Sequence, residues 1–268
     1  MNVLKPISLI LLLPLCLTGC GSDDEKENSV SCDSSINSVF EDDELTQVLL
    51  THEFKKGDVL KLDESSTTTQ VAENDLCVVK LLVGPGNPGP EGAPSTSAGI
   101  GIEIWLPSRE NWNNRIHVLG GGGWAGGVHT SLTNLAGVSV YGNLAEVASI
   151  ENSVSASTDT GHVVGNGAFA MKPDGSINRS LWDDFSYRGI HEMAVKTKIL
   201  TAAYYAKEAD YSYWDGFSTG GRQGHQEAQV NPNDFDGILA GAPAINWTNF
   251  ITNELYPLVV IERDLGGM

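Results

Sequence analysis

Residues 216–220 read Gly216-Phe217-Ser218-Thr219-Gly220, with Tyr211-Ser212-Tyr213-Trp214 before them and Gly221 through Val230 after. A serine flanked by glycines at this spacing is the G-x-S-x-G pattern of a nucleophile held on a tight strand-to-helix turn. Such a turn crowds the backbone, and neighbours without a β-carbon relieve the crowding. A glycine-rich chain also produces this pattern by chance, so the flanks decide. The aromatic run reads as a short buried strand, and Gly220 to Val230 as a helix that stops before Pro232. The expectation is an α/β fold of the α/β-hydrolase type, a sheet with flanking helices, in which Ser218 is the catalytic nucleophile.

In that fold the partners of the serine follow it in the order Asp or Glu, then His. The one histidine downstream is His225, seven residues on, within the helix that starts at the serine. At ~1.5 Å rise per residue that is roughly 10 Å along the axis, away from the hydroxyl. No general base is supplied after Ser218. Either these residues are the first part of a longer enzyme, with the last strands missing, or the chain cannot run the usual mechanism.

The first 19 residues read as an export signal, with Lys5 as a positive n-region and an apolar stretch from Ile7 to Leu17. That stretch is too short to cross about 30 Å of hydrocarbon. It ends in Leu17-Thr18-Gly19-Cys20, which resembles the lipobox of bacterial lipoproteins and implies cleavage before Cys20 and a lipid on its sulfur. A plain secretory signal with an incidental cysteine is the alternative. Residues 20–31 are polar and acidic, and read as a flexible tether between membrane and a domain at 32–268. Gly21, rather than Asp, follows the modified cysteine, which points to the outer membrane or cell surface.

Export sets the redox compartment. Cys16 leaves with the signal and Cys20 is lipidated, so Cys32 and Cys77 remain and are expected to form one disulfide. No C-x-x-C or neighbouring histidine pair is present, and no metal site is expected. The formal net charge of -18, from 34 acidic and 16 basic residues, makes nucleic acid and anionic lipid headgroups poor partners.

Along the chain, 58–62, 76–83, 100–106 and 115–119 read as strands, and 84–99, dense in glycine and proline, as a loop. The strand at 115–119 runs into Gly120-Gly121-Gly122-Gly123-Trp124. Glycine tetrads are commonly linkers. Between an apolar strand and Trp124, this one reads instead as a tight backbone site that donates N–H groups to an oxyanion, with Gly122 and Gly123 beside the Thr219 N–H. Ser153 to Ser157 reads as a strand leading into Thr158-Asp159-Thr160-Gly161-His162. Asp159 and His162 precede Ser218, and a loop aspartate that caps backbone N–H groups is the commoner role. The best helix is 185–207, with Asp184 as N-cap and Ile190, Met193, Ala194, Ile199, Leu200 and Ala203 on one face. Residues 234–240 read as the next strand.

Several stretches taken together resemble the tannase and feruloyl esterase family. They are Asp184-Phe185-Ser186-Tyr187-Arg188-Gly189-Ile190-His191-Glu192, the elbow from Gly216 to Gly224, the run from Asn231 to Ala244, Ser157 to His162, and the glycine loop. The resemblance covers most of the chain from Cys32 onward. It implies hydrolysis of esters of aromatic acids such as gallate or ferulate, with Ser218 as nucleophile and Thr219 and a glycine of the loop as oxyanion donors. It implies no cofactor in the chemistry. It also implies an Asp, a His and a calcium-bearing lid further on, none of which can be assigned to a residue here. One departure stands out: the family places a cysteine immediately before the nucleophile, and this chain has Phe217, expected to pack under the elbow.

Two functions follow. The first is a surface-tethered serine esterase, of which these residues alone are expected to be inactive. The second is a non-catalytic lipoprotein that binds aromatic or glycan ligands on a hydrolase-like scaffold.

Overall fold

The computed structural model describes residues 29–138 and 142–267. The export signal and Cys20 lie outside the described residues. Seven strands form the frame: β1 Thr46–Phe54, β2 Leu76–Val83, β3 Ile100–Pro107, β4 Arg115–Leu119, β5 Ser155–Thr158, β6 Tyr211–Phe217 and β7 Gly237–Gly241. β1-β2-β3-β5 is antiparallel and β4-β6-β7 is parallel. The two halves join where His117 N–H donates to the Val154 carbonyl (2.8 Å) and Val154 N–H to the Arg115 carbonyl (3.0 Å).

β2 and β3 read as almost unbroken apolar runs because the sheet is covered on both faces. Val79, Leu81, Ile102 and Ile104 face a core completed by Ile190, Met193, Leu200 and Trp214. Leu76, Val78 and Trp105 face a second core with Phe54, Leu60 and Leu144. Alternation along each strand sorts the side chains between these faces. Lys80 and Glu103 stand opposite one another in the register, both fully buried, with Nζ 2.9 Å from a carboxylate oxygen. The pair is satisfied on every side. Lys80 donates to the carbonyls of Val128 and Asn134, and Glu103 accepts from Trp105 Nε1 and from the Ala136 and Gly137 N–H groups.

Among the described residues the α-helices are α1 Leu144–Glu146, α2 Arg179–Asp183, α3 Gly189–Tyr205, α4 Thr219–Val230 and α5 Trp247–Leu265. Asp184 is not the N-cap of a helix from 185. The helical path starts at α2, capped by Asn178, and reaches α3 through a π-helical turn at Asp184–Arg188. Asp184 instead pairs with Arg188 at 2.7 Å. The wide turn frees the carbonyls of Phe185 and Ser186, and both accept from the Arg222 guanidinium of α4. On α3 the buried stripe runs through Thr197, Thr201 and Tyr204, while Ile199 is exposed and Ala203 only half-buried.

Two further expectations change. Residues 58–62 make only a single bridge, Val59 to Val71, and the strand in this region is β1. Val30, which fell within the expected tether, is already docked: its N–H donates to the Ala203 carbonyl at 3.1 Å. Cys32 and Cys77 form the expected disulfide, with Cα atoms 5.7 Å apart, tying this segment to β2. Among the described residues no helix is long and apolar enough to cross a membrane. Among the described residues β7 pairs only with β6 and α5 buries none of its side chains, so Leu239, Leu255, Tyr256, Leu258 and Val259 stand exposed.

Candidate active site

β6 ends at Phe217, α4 begins at Thr219, and Ser218 between them has φ 59° and ψ −116°. A side chain rarely adopts these angles, and they persist only where surrounding contacts over-determine them. Here they do. Ser218 N–H donates to the Gly241 carbonyl (3.0 Å), and the Ser218 carbonyl accepts from Ala244 N–H (3.0 Å) and Arg222 N–H (3.1 Å). The glycines are required by contact. A Cβ on Gly216 would lie 2.4 Å from the Gly220 backbone, and one on Gly120 would lie 2.7 Å from the Gly220 Cα. The glycine loop therefore packs backbone to backbone against the turn.

The loop is also tied to α4. Gly121 N–H donates to Gln223 Oε1 at 3.0 Å, and the Thr219 hydroxyl donates to the Gly123 carbonyl. Gly120 N–H is taken by the Asp215 carbonyl at 2.8 Å. Among the described residues, the N–H groups of Thr219, Gly122 and Gly123 donate to no acceptor within the protein. Thr219 is the first residue of α4, where the helix dipole favours negative charge, and its hydroxyl holds Gly123 of the loop against it. An open cavity of about 980 Å³ lies beside the turn, lined by Gly121, Gly122, His129, Asp215, Phe217 and Ser218 among others. Ser218 is half-buried, so its side chain reaches the cavity without being freely solvated.

Phe217 does not pack under the turn. Its side chain is 70% exposed and lines the cavity. Trp124 is not at the cavity; it packs among Phe169, Trp182, Phe185 and Trp247. Asp159 and His162 hold loops together. Asp159 Oδ1 accepts from Gly101 N–H and Gly161 N–H at 2.8 Å each, and burial pushes its carboxyl up to about 8. His162 Nε2 lies 2.8 Å from the Trp124 carbonyl, its ring stacks on Phe169 at 3.8 Å, and burial lowers its pKa. His225 is exposed on α4. Among the described residues no side chain hydrogen-bonds the Ser218 hydroxyl.

His129 is a cavity residue that the sequence did not single out. It is buried, its Nε2 lies 2.9 Å from Ser157 Oγ, and burial lowers its pKa to about 4. It holds an inner wall in place as a neutral ring. The signal was available only as a histidine shortly after the glycine loop.

A sequence profile described as tannase and feruloyl esterase matches residues 90–263. The chain belongs to the tannase and feruloyl esterase family. A probable feruloyl esterase of Arthroderma benhamiae is 43% identical over 166 residues, which is 61% of this chain and 29% of that protein. A probable feruloyl esterase B-1 of Aspergillus flavus is 34% identical over 187 residues, 69% of this chain and 30% of that protein. The fold agrees. The crystal structure of feruloyl esterase B from Aspergillus oryzae superposes with a TM-score of 0.60 at 27% identity, covering 80% of this chain and 38% of that one. Another A. oryzae esterase gives 0.63 at 28% identity, covering 84% and 41%. The chain thus spans about 30% of the length of these two curated feruloyl esterase relatives.

Proposed function

We propose that the protein is a serine carboxylic ester hydrolase acting on esters of aromatic acids, of the hydroxycinnamic or gallic kind. The observation that supports this most is the turn itself: Ser218 at φ 59° precedes Thr219, whose N–H has no acceptor, and Ser218 lines one cavity together with Gly122 of the glycine loop. Ser218 Oγ attacks the ester carbonyl carbon and loses its proton to a base. The carbonyl oxygen gains negative charge, and the Thr219 N–H with those of Gly122 and Gly123 donate to it. The alcohol then leaves with a proton, and water releases the acid from Ser218. Phe217, Leu119 and Val147 give the cavity an apolar lining suited to an aromatic acyl group.

The chemistry calls for no cofactor, and the calcium that the resemblance attaches to a lid is assigned to no residue here. We place the protein at the outer membrane or cell surface through a lipid on Cys20, on the strength of the Leu17–Cys20 motif and the polar tract after it. Metabolic labelling with a radioactive fatty acid, lost in Cys20→Ser, tests that placement.

Release of free acid from methyl ferulate and methyl gallate tests the reaction. Turnover is expected from the product of the whole gene and is abolished by Ser218→Ala; an unchanged rate in that variant refutes the assignment.

A further inference from the structure

On the far side of α4 from Ser218, three ligating side chains from three elements converge. His191 of α3, Glu227 of α4 and Asp234 of the turn into β7 place one donor atom each within 4.8 Å of one another. His191 Nδ1 and Asp234 Oδ2 are 2.7 Å apart. Glu227 is fully buried, and of its two oxygens Oε2 accepts from Asn231 Nδ2 at 3.1 Å while Oε1 has no partner. A buried carboxylate oxygen without a donor is costly. A second carboxylate beside it adds repulsion that only a shared proton or a cation removes.

We propose that His191, Glu227 and Asp234 form a binding site for one divalent transition-metal ion of the zinc class. One imidazole and two carboxylates are the donor set that such an ion accepts, with bonds of about 2.0–2.2 Å and a fourth position for water. Tetrahedral bonds of that length hold donor atoms roughly 3.3–3.5 Å apart. The present spread, from 2.7 Å to at most 4.8 Å, brackets that spacing. An entry path exists. The His191 side chain is 43% exposed, whereas Asp234 is 11% exposed and Glu227 lies beneath both.

The site is structural with respect to the ester chemistry. Glu227 lies nine residues beyond Ser218 in the same helix, roughly 13 Å along the axis. What an ion would do is clamp α3, α4 and the entry to β7 behind the turn. That entry is already fastened, since Ser212 Oγ donates to the Asp234 carbonyl at 3.0 Å and Ser212 N–H to Asp236 at 2.7 Å. The site stands independently of the esterase reading.

Isothermal titration of the chelator-treated protein with zinc chloride, paired with thermal unfolding, tests it. One ion per chain is expected, with a higher Tm in zinc and little response to calcium or magnesium. Glu227→Gln keeps the shape and removes a charge, and His191→Asn alters only the exposed rim, so the second serves should the first fail to fold. Each is expected to weaken zinc binding by more than about 10-fold, since even supporting residues around a metal cost that much. Absence of binding, or binding that neither variant weakens, overturns the site.

Discussion

Gln223, one turn into the helix that follows Ser218, accepts a hydrogen bond from Gly121 N–H at 3.0 Å. The residue that anchors the glycine loop thus belongs to the helix that carries the serine. Gln223→Ala is expected to cost about 1 kcal/mol of stability, the usual worth of a hydrogen bond. If the loop donates to the transition state, the active protein should also lose roughly 10-fold or more in kcat with a smaller change in KM. Gln223→Glu retains the acceptor and should recover most of the rate. Steady-state kinetics on both variants separate the outcomes; equal losses in kcat for Ala and Glu would remove the anchoring role.

The strained backbone of Ser218 sets function against stability. A glycine tolerates φ 59° without steric cost. Ser218→Gly should therefore raise unfolding free energy by about 1 kcal/mol, within the ~1–3 kcal/mol stored in such conformations, while abolishing turnover. Urea denaturation checks this, and a destabilised variant would contradict it.

Asp159 makes a prediction about pH. Its carboxyl is pushed up to about 8 in the folded chain, chiefly by burial, against 3.8 as the ordinary value. A carboxyl whose folded pKa is raised stabilises the fold fully below the ordinary pKa and loses that contribution as pH rises through the folded one. Stability of the native chain should decline between about pH 4 and pH 8 for this reason. Asp159→Asn keeps an oxygen for the Gly101 and Gly161 N–H groups and should flatten the decline. Melting curves across that window decide; parallel slopes in the two proteins would exclude Asp159 as the source.

The buried pair Lys80–Glu103 should behave as a unit. Lys80→Met leaves Glu103 uncompensated and is expected to cost about 3–5 kcal/mol. Lys80→Met combined with Glu103→Leu should cost less than the sum of the single changes. A double-mutant cycle by chemical denaturation measures the coupling.

These residues alone should turn over esters negligibly, because no described side chain hydrogen-bonds the Ser218 hydroxyl. Fluorophosphonate labelling of the 268-residue polypeptide checks it. Robust modification at Ser218 would show that a base reaches the hydroxyl after all.

Much of this arrangement was legible in the chain. The turn at Ser218, the strands around it and the helix after it announce themselves through glycine spacing and aromatic runs, where local backbone demands are strict. Phe217 was misread although the pattern was available: Ser212, Trp214 and Gly216 face inward, so alternation turns Phe217 outward. The start of α2–α3 was missed because Asp184 and Asn178 are both good caps, and tertiary contact from Arg222 settles which one is used. β1 was missed for a different reason. Its Thr, Gln, His and Glu positions make a half-exposed strand with a bulge between Val48 and Leu50, which breaks the two-residue rhythm. The meeting of His191, Glu227 and Asp234 depends on packing between elements distant in sequence and leaves no spacing to read.

The Cys32–Cys77 link has a mechanical consequence. Force applied through the residues preceding Cys32 enters β2 directly, a strand paired on both sides, and bypasses β1 at the sheet margin. Traction on the amino end would then load the middle of the sheet in shear rather than unzip its outermost strand.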